Sequence, residues 1–289
     1  MDVSIIIVNF NTCELTLNAI QSVFQSRTDY SYEIILIDNA STDGSVDRIR
    51  KEYPSVHLIV NRDNLGFSKA NNQGIRAASG RYILLLNSDT VMQPETLDVM
   101  VRFMEDHPEV GAGGCKVVLP DGTLDRACRR GFPTPLASFY YAFGFSRLFP
   151  RHPRFNQYQL SYLDPDQDYP VDSLMGAFML VRKETIDQVG QLDEDFFMYG
   201  EDIDWCYRIK HGGWHVYYYP YTTIIHYKRA SSRNKPFKII YEFHRAMLLF
   251  HNKHYKRKYA WWVNLLVYLG IGIKFVSAFL SSKLSLSQR

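Results

Sequence analysis

Five short segments of the chain carry side chains able to do chemistry. Asp38 ends an apolar run and meets the turn Asn39-Ala40-Ser41-Thr42-Asp43-Gly44. A carboxylate there accepts hydrogen bonds from a base imide or ribose hydroxyl, or it caps a turn of its own backbone. Asn64-Leu65-Gly66-Phe67 precedes a helical stretch carrying Lys69, Asn72 and Gly74. A glycine beside a helix N-terminus lets a phosphate approach, or is an ordinary helix start. Asn87-Ser88-Asp89-Thr90 follows another apolar run. Hard divalent cations accept one or two protein carboxylates together with substrate phosphates, so one Asp at a strand end suits a metal–diphosphate site as well as it suits a turn. Glu201, Asp202 and Asp204 stand at a helix start, where acids also complement the helix dipole. They do not share one helix face, so some are expected to point into a cleft, where a carboxylate acts as a general base. His226 comes just before the cationic run Lys228-Arg229 and Ser231-Ser232-Arg233. Such a histidine is either structural or completes a metal site.

The elements around these segments alternate. Val3–Val8, Glu33–Asp38, His57–Val60 and Tyr82–Leu86 read as strands, and the first is a β-branched apolar run of the kind buried in parallel sheets. A helix after Thr12 (a potential N-cap), one over Ser45–Glu52 and one over Gly66–Ala78 separate them. This order predicts an α/β, Rossmann-like sheet with ligands at the carboxyl ends of its strands. Asp38 and Asp89 fall at such ends, and Asn9 opens the turn after the first strand. Residues 120–170, rich in Pro, Arg and aromatics, read as an irregular excursion across the pocket. Regular structure resumes with a strand over Gly176–Arg182, helices over Lys183–Val189 and near Glu201–Lys210, and two short strands, Trp214–Tyr219 and Thr222–His226.

The chain has 289 residues, 22% of them charged and 46% hydrophobic, which excludes disordered and fibrous classes. Four cysteines form no C-x-x-C pair, so no thiol zinc site is implied. The start Met1-Asp2-Val3-Ser4 has no basic region, and no signal peptide is expected; reduced thiols in the cytosol follow. The charge is split. Residues 1–227 carry 20 basic and 29 acidic side chains; residues 228–289 carry 13 basic ones and only Glu242 as an acid. A basic tail on an acidic body calls for an anionic partner such as phospholipid or diphosphate and argues against nucleic acid. Within that tail Phe237–His251 is helical in pattern. The cluster Lys253, Lys256, Arg257 and Lys258 precedes the strongly apolar stretch Tyr259–Leu280. Gly270, Lys274, Ser277 and Ser281 share one helix face, which suits a helix lying in a membrane interface. The length also suits a span, where Lys274 costs about 2.5–3.5 kcal/mol. A soluble helix pair packed on the domain is the third reading.

Together VSIIIVNFN, IDNASTDGS, NLGFSKANNQGI, LLLNSDT, GAFMLVRKETIDQVGQLDEDFFMYGEDIDWCYRIKHGGW and IIHYKRAS resemble the family-2 glycosyltransferases of GT-A fold, from Val3 to about Arg233. Within the family the chain is most similar to the rhamnosyltransferase-like branch that builds bacterial surface polysaccharides. The resemblance implies a Rossmann-like nucleotide-sugar half (1–115) merged with an acceptor half (116–236); the basic, apolar pattern of the remaining residues reads as an amphipathic helical tail (237–289) that holds the enzyme on the cytoplasmic face of the membrane. It implies Asp202 as catalytic base and Asp89 with His226 as ligands of Mg²⁺ or Mn²⁺. Asp38 would contact the nucleotide. Ser231, Ser232 and Arg233 would close over the diphosphate. Asn9, Asn64, Gly66, Asn72, Ser88 and Glu201 join the substrate-binding set. Asn87 stands where many members carry the first Asp of a D-x-D motif; it can still hold ribose or metal-bound water. The implied reaction is inverting, metal-dependent transfer of one sugar, L-rhamnose from dTDP-rhamnose in the first instance, to a polyprenyl-diphosphate-linked or polysaccharide acceptor. Galactosyl or glucosyl transfer, and a non-catalytic nucleotide-sugar-binding module, are the alternatives. A processive synthase is disfavoured, because the stretch after Asp202 has no Q-x-x-R-W motif and no series of membrane helices.

Overall fold

The computed structural model describes residues 1–228 and 236–287. Its first part alternates as the hydrophobic pattern requires: β1 (Val3–Asn9), α1 (Cys13–Phe24), β2 (Tyr32–Asp38), α2 (Ser45–Glu52), β3 (His57–Val60), α3 (Phe67–Ala77) and β4 (Tyr82–Asn87). β1 is covered on both faces, and Ile5, Ile6 and Ile7 are fully buried. Each such side chain contributes about 1.5–3 kcal/mol of apolar transfer. β1 lies between β2 and β4, parallel to both. The register opposes Asn9 to Asp38 and Val8 to Asn87, so three strand ends line up at one edge. Thr12 stands at the N-cap position of α1 but does not cap it; its hydroxyl donates to Asn9 Oδ1 at 2.8 Å.

The second part is not a continuation of the parallel sheet. β5 (Thr90–Met92), α4 (Thr96–Asp106) and β6 (Val110–Val118) follow. The excursion then holds β7 (Arg129–Arg130), α5 (Pro135–Ala142), α6 (Phe145–Leu148), β8 (Tyr169–Pro170) and β9 (Ser173–Leu174). Next come β10 (Phe178–Arg182), α7 (Lys183–Val189), α8 (Glu201–His211) and β11 (His215–His226). The main sheet runs β3-β2-β1-β4-β10-β6-β11-β5, with β8 on β11. β10 is antiparallel to both β4 and β6. The two short strands expected before His226 are one strand, because the pairing of β11 with β6 shifts between Tyr219 and Thr223 without ending the ladder. Such a shift re-aims the strand that delivers His226.

The tail is helical. α9 (Pro236–Phe250) passes through a π turn over His251–Tyr255 into α10 (Trp261–Ser287). α9 packs on α8 and the preceding loop through Phe196, Ile203, Tyr207, Ala246 and Phe250. The tail is therefore bound to the element that starts with Glu201 and Asp202.

Candidate active site

A cavity of about 1060 Å³ opens at the carboxyl ends of the central strands. Asn64, Gly66, Asn87, Ser88, Asp89, Glu201, Asp202 and His226 all line it, although they come from four separate parts of the sequence. Asn9, Asp38 and Asn72 do not. Asn9 and Asp38 are fully buried, and Asn9 Nδ2 donates to Asp38 Oδ2 at 2.7 Å. Asp38 Oδ1 accepts from the Ser41 amide at 2.8 Å, which is the turn-capping role left open by the sequence. Asn72 Nδ2 donates to Leu192 O at 2.9 Å and ties α3 to the loop ahead of α8. These three residues shape the site from behind. Ser231, Ser232 and Arg233 lie outside the described residues.

Gly66 is needed by conformation and space. Its φ is +85°, and a Cβ there would stand 2.5 Å from Phe197 O. The neighbouring Phe67 amide donates to that same carbonyl at 2.7 Å, which closes the start of α3 onto the loop leading to α8.

One end of the cavity holds a histidine between two acids. Pairing of His226 with Thr90 across β11 and β5 sets it beside Asp89. His226 Nε2 lies 3.2 Å from Asp89 Oδ1 and 3.4 Å from Asn87 Nδ2, while Nδ1 lies 3.2 Å from Asp125 Oδ2. Burial works to lower the His226 pKa, but the hydrogen bonds to Asp125 and Asp89 outweigh it and the net shift is upward. Burial likewise opposes the charge on Asp125, yet His226 and Lys228 hold its pKa down at about 2. The donor set fits a hard divalent cation. The Asp125 carboxylate holds Nδ1 and so orients the ring, which leaves Nε2 facing the carboxylate of Asp89, as in histidines that ligate a metal through one nitrogen while the other bonds a carboxylate. Among the described residues no third His, Cys, Asp or Glu joins them in a cluster able to hold a metal, so phosphate oxygens or water would have to complete the shell.

The other end is built on the first turn of α8. Asp202 Oδ2 accepts from an Arg130 Nη2 at 2.5 Å, and Oδ1 accepts from the Ile203 amide at 2.8 Å. Glu201 is buried and its Oε2 has no hydrogen-bond partner. Burial first, and the charge of Asp202 second, push its pKa well above the ordinary carboxylate range. Asp204 faces away from the cavity. It is fully buried and receives Arg208 Nε at 2.8 Å, Lys253 Nζ at 2.8 Å and His254 Nε2 at 2.7 Å. So two of the three acids enter the cleft and the third anchors the tail.

A sequence model of glycosyl transferase family 2 matches residues 4–190. The chain belongs to glycosyltransferase family 2. It is 29% identical over 234 residues to the N-acetylglucosaminyl-diphospho-decaprenol L-rhamnosyltransferase of Mycobacterium tuberculosis, an alignment covering 77% of this chain and 75% of that enzyme. It is 29% identical over 213 residues to the rhamnosyltransferase WbbL of Escherichia coli, covering 71% and 76%. Among solved structures, the fold is similar to that of Staphylococcus aureus TarS (residues 1–349), with a TM-score of 0.56 at 15% identity over 87% of this chain and 66% of that one. It is also similar to GalNAc-T7 with UDP, GalNAc and Mn²⁺, with a TM-score of 0.58 at 16% identity over 79% and 44%. These likenesses establish the GT-A-like fold, and the chain is an enzyme of the transferase class.

Two residues of this family 2 glycosyltransferase site escaped the sequence reading. Arg130, which binds Asp202, lies in a stretch with no periodicity; its one signal is the adjacent pair Arg129-Arg130 amid apolar and aromatic residues. Asp125, which pins His226, is 101 residues away from it, and nothing local marks it.

Proposed function

We propose that this enzyme moves one sugar from a nucleotide-sugar donor, dTDP-L-rhamnose in the first instance, to a lipid-linked glycan acceptor with inversion at the anomeric carbon. The observation that carries the reading is the placement of Asp202 and of the Asp89–His226 pair along one cavity. Sugar transfer builds positive charge at the anomeric carbon and negative charge on the leaving diphosphate. Asp202 takes the acceptor hydroxyl proton. Asn64 and the backbone at Gly66 border the donor's side. Asp89 and His226 would hold Mg²⁺ or Mn²⁺. When bound, that ion supplies charge stabilisation to the departing diphosphate. The similarity to rhamnosyltransferases, one of them named for a diphospho-decaprenol acceptor, supports the choice of sugar and acceptor. The alternative donors are galactosyl or glucosyl nucleotides, with a polysaccharide acceptor.

Membrane attachment belongs to the same proposal. α10 is long and apolar enough to cross a bilayer over Trp261–Lys283, with a mean hydropathy of 1.9 and 11% of that stretch buried. Lys274 lines the cavity, its Nζ 5.4 Å from the centre of the Tyr141 ring. The cost counted against immersing a lysine in lipid is thereby reduced. The basic cluster contributes less than its composition suggests. Lys253 is tied to Asp204 and Asp193, and Lys258 to the Tyr207 hydroxyl. Lys256 and Arg257 remain exposed. Attachment to the cytoplasmic face, peripheral or monotopic, would bring the enzyme to its acceptor.

The test is a panel of nucleotide sugars in thermal-shift and transfer assays with and without chelator. The matched donor raises the melting temperature by mass action, by the equivalent of about 2.7 kcal/mol at one hundred times its Kd. Chelator abolishes transfer, and added Mn²⁺ or Mg²⁺ restores it. Full transfer in chelator would overturn the metal assignment, and a donor other than dTDP-rhamnose would replace the sugar.

A further inference from the structure

α10 is apolar on its outer side and, over 263–271, on the side that borders the cavity, where Leu266 is exposed and Ile271 is buried. Trp262, Leu265, Leu269 and Val276 are about half exposed on the outer side. Val263, Leu266, Val267 and Ile271 border the cavity on the inner side. Across the cavity from the inner side stand Leu136, Phe139 and Tyr141 of α5, all roughly half exposed. Phe243 and Met247 of α9 line the same apolar end. A Cβ placed on Gly270 would meet nothing within 4 Å, so the space beside α10 is open. The apolar end is continuous with the polar end that holds Arg130 and Asp202, and the whole volume of about 1060 Å³ is at the top of what one small ligand occupies.

We propose that the apolar end of the cavity, between α5 and the inner side of α10, seats the isoprenoid chain of the acceptor lipid, which enters sideways from the bilayer. This rests on the lipid-linked acceptor reading given above. The acceptor hydroxyl must reach Asp202, and whatever is joined to that acceptor must leave the polar end through this apolar passage. Lys274 lines the passage and can meet a diphosphate between sugar and chain. A hydrocarbon chain suits the walls because it brings no polar groups that need partners. A peptide segment would bring backbone amides and carbonyls into a slot that offers few partners, at a cost of roughly 1–3 kcal/mol each. The outer side of α10 extends the same apolar surface to the exterior, which gives a chain a route from lipid to cavity.

The test uses the full chain in detergent, so that membrane docking does not enter. The probe is a polyprenyl monophosphate carrying a photoreactive group at the far end of the chain. Labelled peptides should map to α5 and the inner side of α10, and unlabelled undecaprenyl phosphate should compete while a phosphatidylglycerol of similar length does not. Phe139→Asp and Leu266→Asp, both at exposed positions, should each lower labelling at least about tenfold, the equivalent of 1.4 kcal/mol, because a carboxylate in an apolar wall costs more than that. Labelling spread along Trp262, Leu269 and Val276, equal competition by the phospholipid, or unchanged labelling in both variants overturns the seat. The two readings fail differently. Transfer to a glycosyl diphosphate on a short alkyl chain, with no labelling by the isoprenoid probe, removes the seat and leaves the transferase. Mapped and competed labelling without transfer to any lipid-linked acceptor supports the seat and removes the acceptor.

Discussion

At the residue scale the first turn of α8 separates three acids by environment. Asp202 is held by Arg130 and by backbone amides with its carboxylate at the cavity, and the reading as catalytic base follows from that placement. Asp202→Asn should lower turnover roughly 10²–10⁴-fold with donor affinity nearly unchanged, measured by initial rates and donor titration. Near-normal turnover in Asp202→Asn together with a dead Glu201→Gln would move the base to Glu201. Glu201 itself makes a prediction about stability. Its carboxyl is buried and its pKa raised, so the native state keeps a proton that the unfolded chain sheds above about pH 4.3. The contribution of this group is therefore full below that pH and is lost progressively as pH rises toward and through the raised native value. Glu201→Gln should flatten the fall in urea midpoint between pH 5 and 8. An unchanged pH dependence would show that Glu201 is already ionised in the fold.

At the element scale the structure joins tail and catalytic helix through one carboxylate. Asp204 gathers Arg208 of its own helix and Lys253 and His254 of the π turn, all onto a side chain with no exposure. Burial raises its pKa, but His254 first and then Arg208 and Lys253 reverse this and hold it at about 2. Asp204→Ala should cost about 1–3 kcal/mol, since it takes the shared acceptor away from three donors that are at most partly exposed to water. Denaturant unfolding measures this directly. The stability this group supplies is present above the ordinary aspartate range and is lost as pH falls through its native value. Because α8 starts with Glu201 and Asp202, loosening Asp204 should also lower turnover, whereas a tail that merely trails from the domain predicts no such effect.

At the scale of the whole molecule, a half-exposed apolar helix stands over the mouth of the cavity. Leu269→Asp combined with Val276→Asp on the outer side of α10 should release the full chain from anionic liposomes in flotation, because each buried leucine or valine contributes about 1.5–3 kcal/mol and a carboxylate opposes the surface charge. High salt should weaken attachment of the unaltered chain only partly, since the apolar contribution is not screened. A full-length protein that ignores liposomes at every ionic strength would make α9 and α10 a packed helix pair.

Much of the architecture was already legible in the chain. The run VSIIIV can be satisfied only where both faces are buried, so β1 and its parallel neighbours follow from composition and spacing. Ser45–Glu52, His57–Val60 and Lys183–Val189 begin and end where local turn and helix signals place them. Motif order likewise pointed to Asp89, Asp202 and His226 as one set. The remainder depended on partners distant in sequence. The antiparallel insertion of β10 between β4 and β6 arises because pairing direction depends on how the chain returns after the excursion, and no local pattern records that. Asp38 and Asn9 have the residue types of a ligand site, yet their polar atoms are taken up by each other and by neighbouring turns. Arg130 and Asp125 acquire their roles only when folding brings them to Asp202 and His226, 72 and 101 residues away. Side-chain type and periodicity are local properties of a chain, whereas charge pairing and desolvation are properties of the space into which it folds.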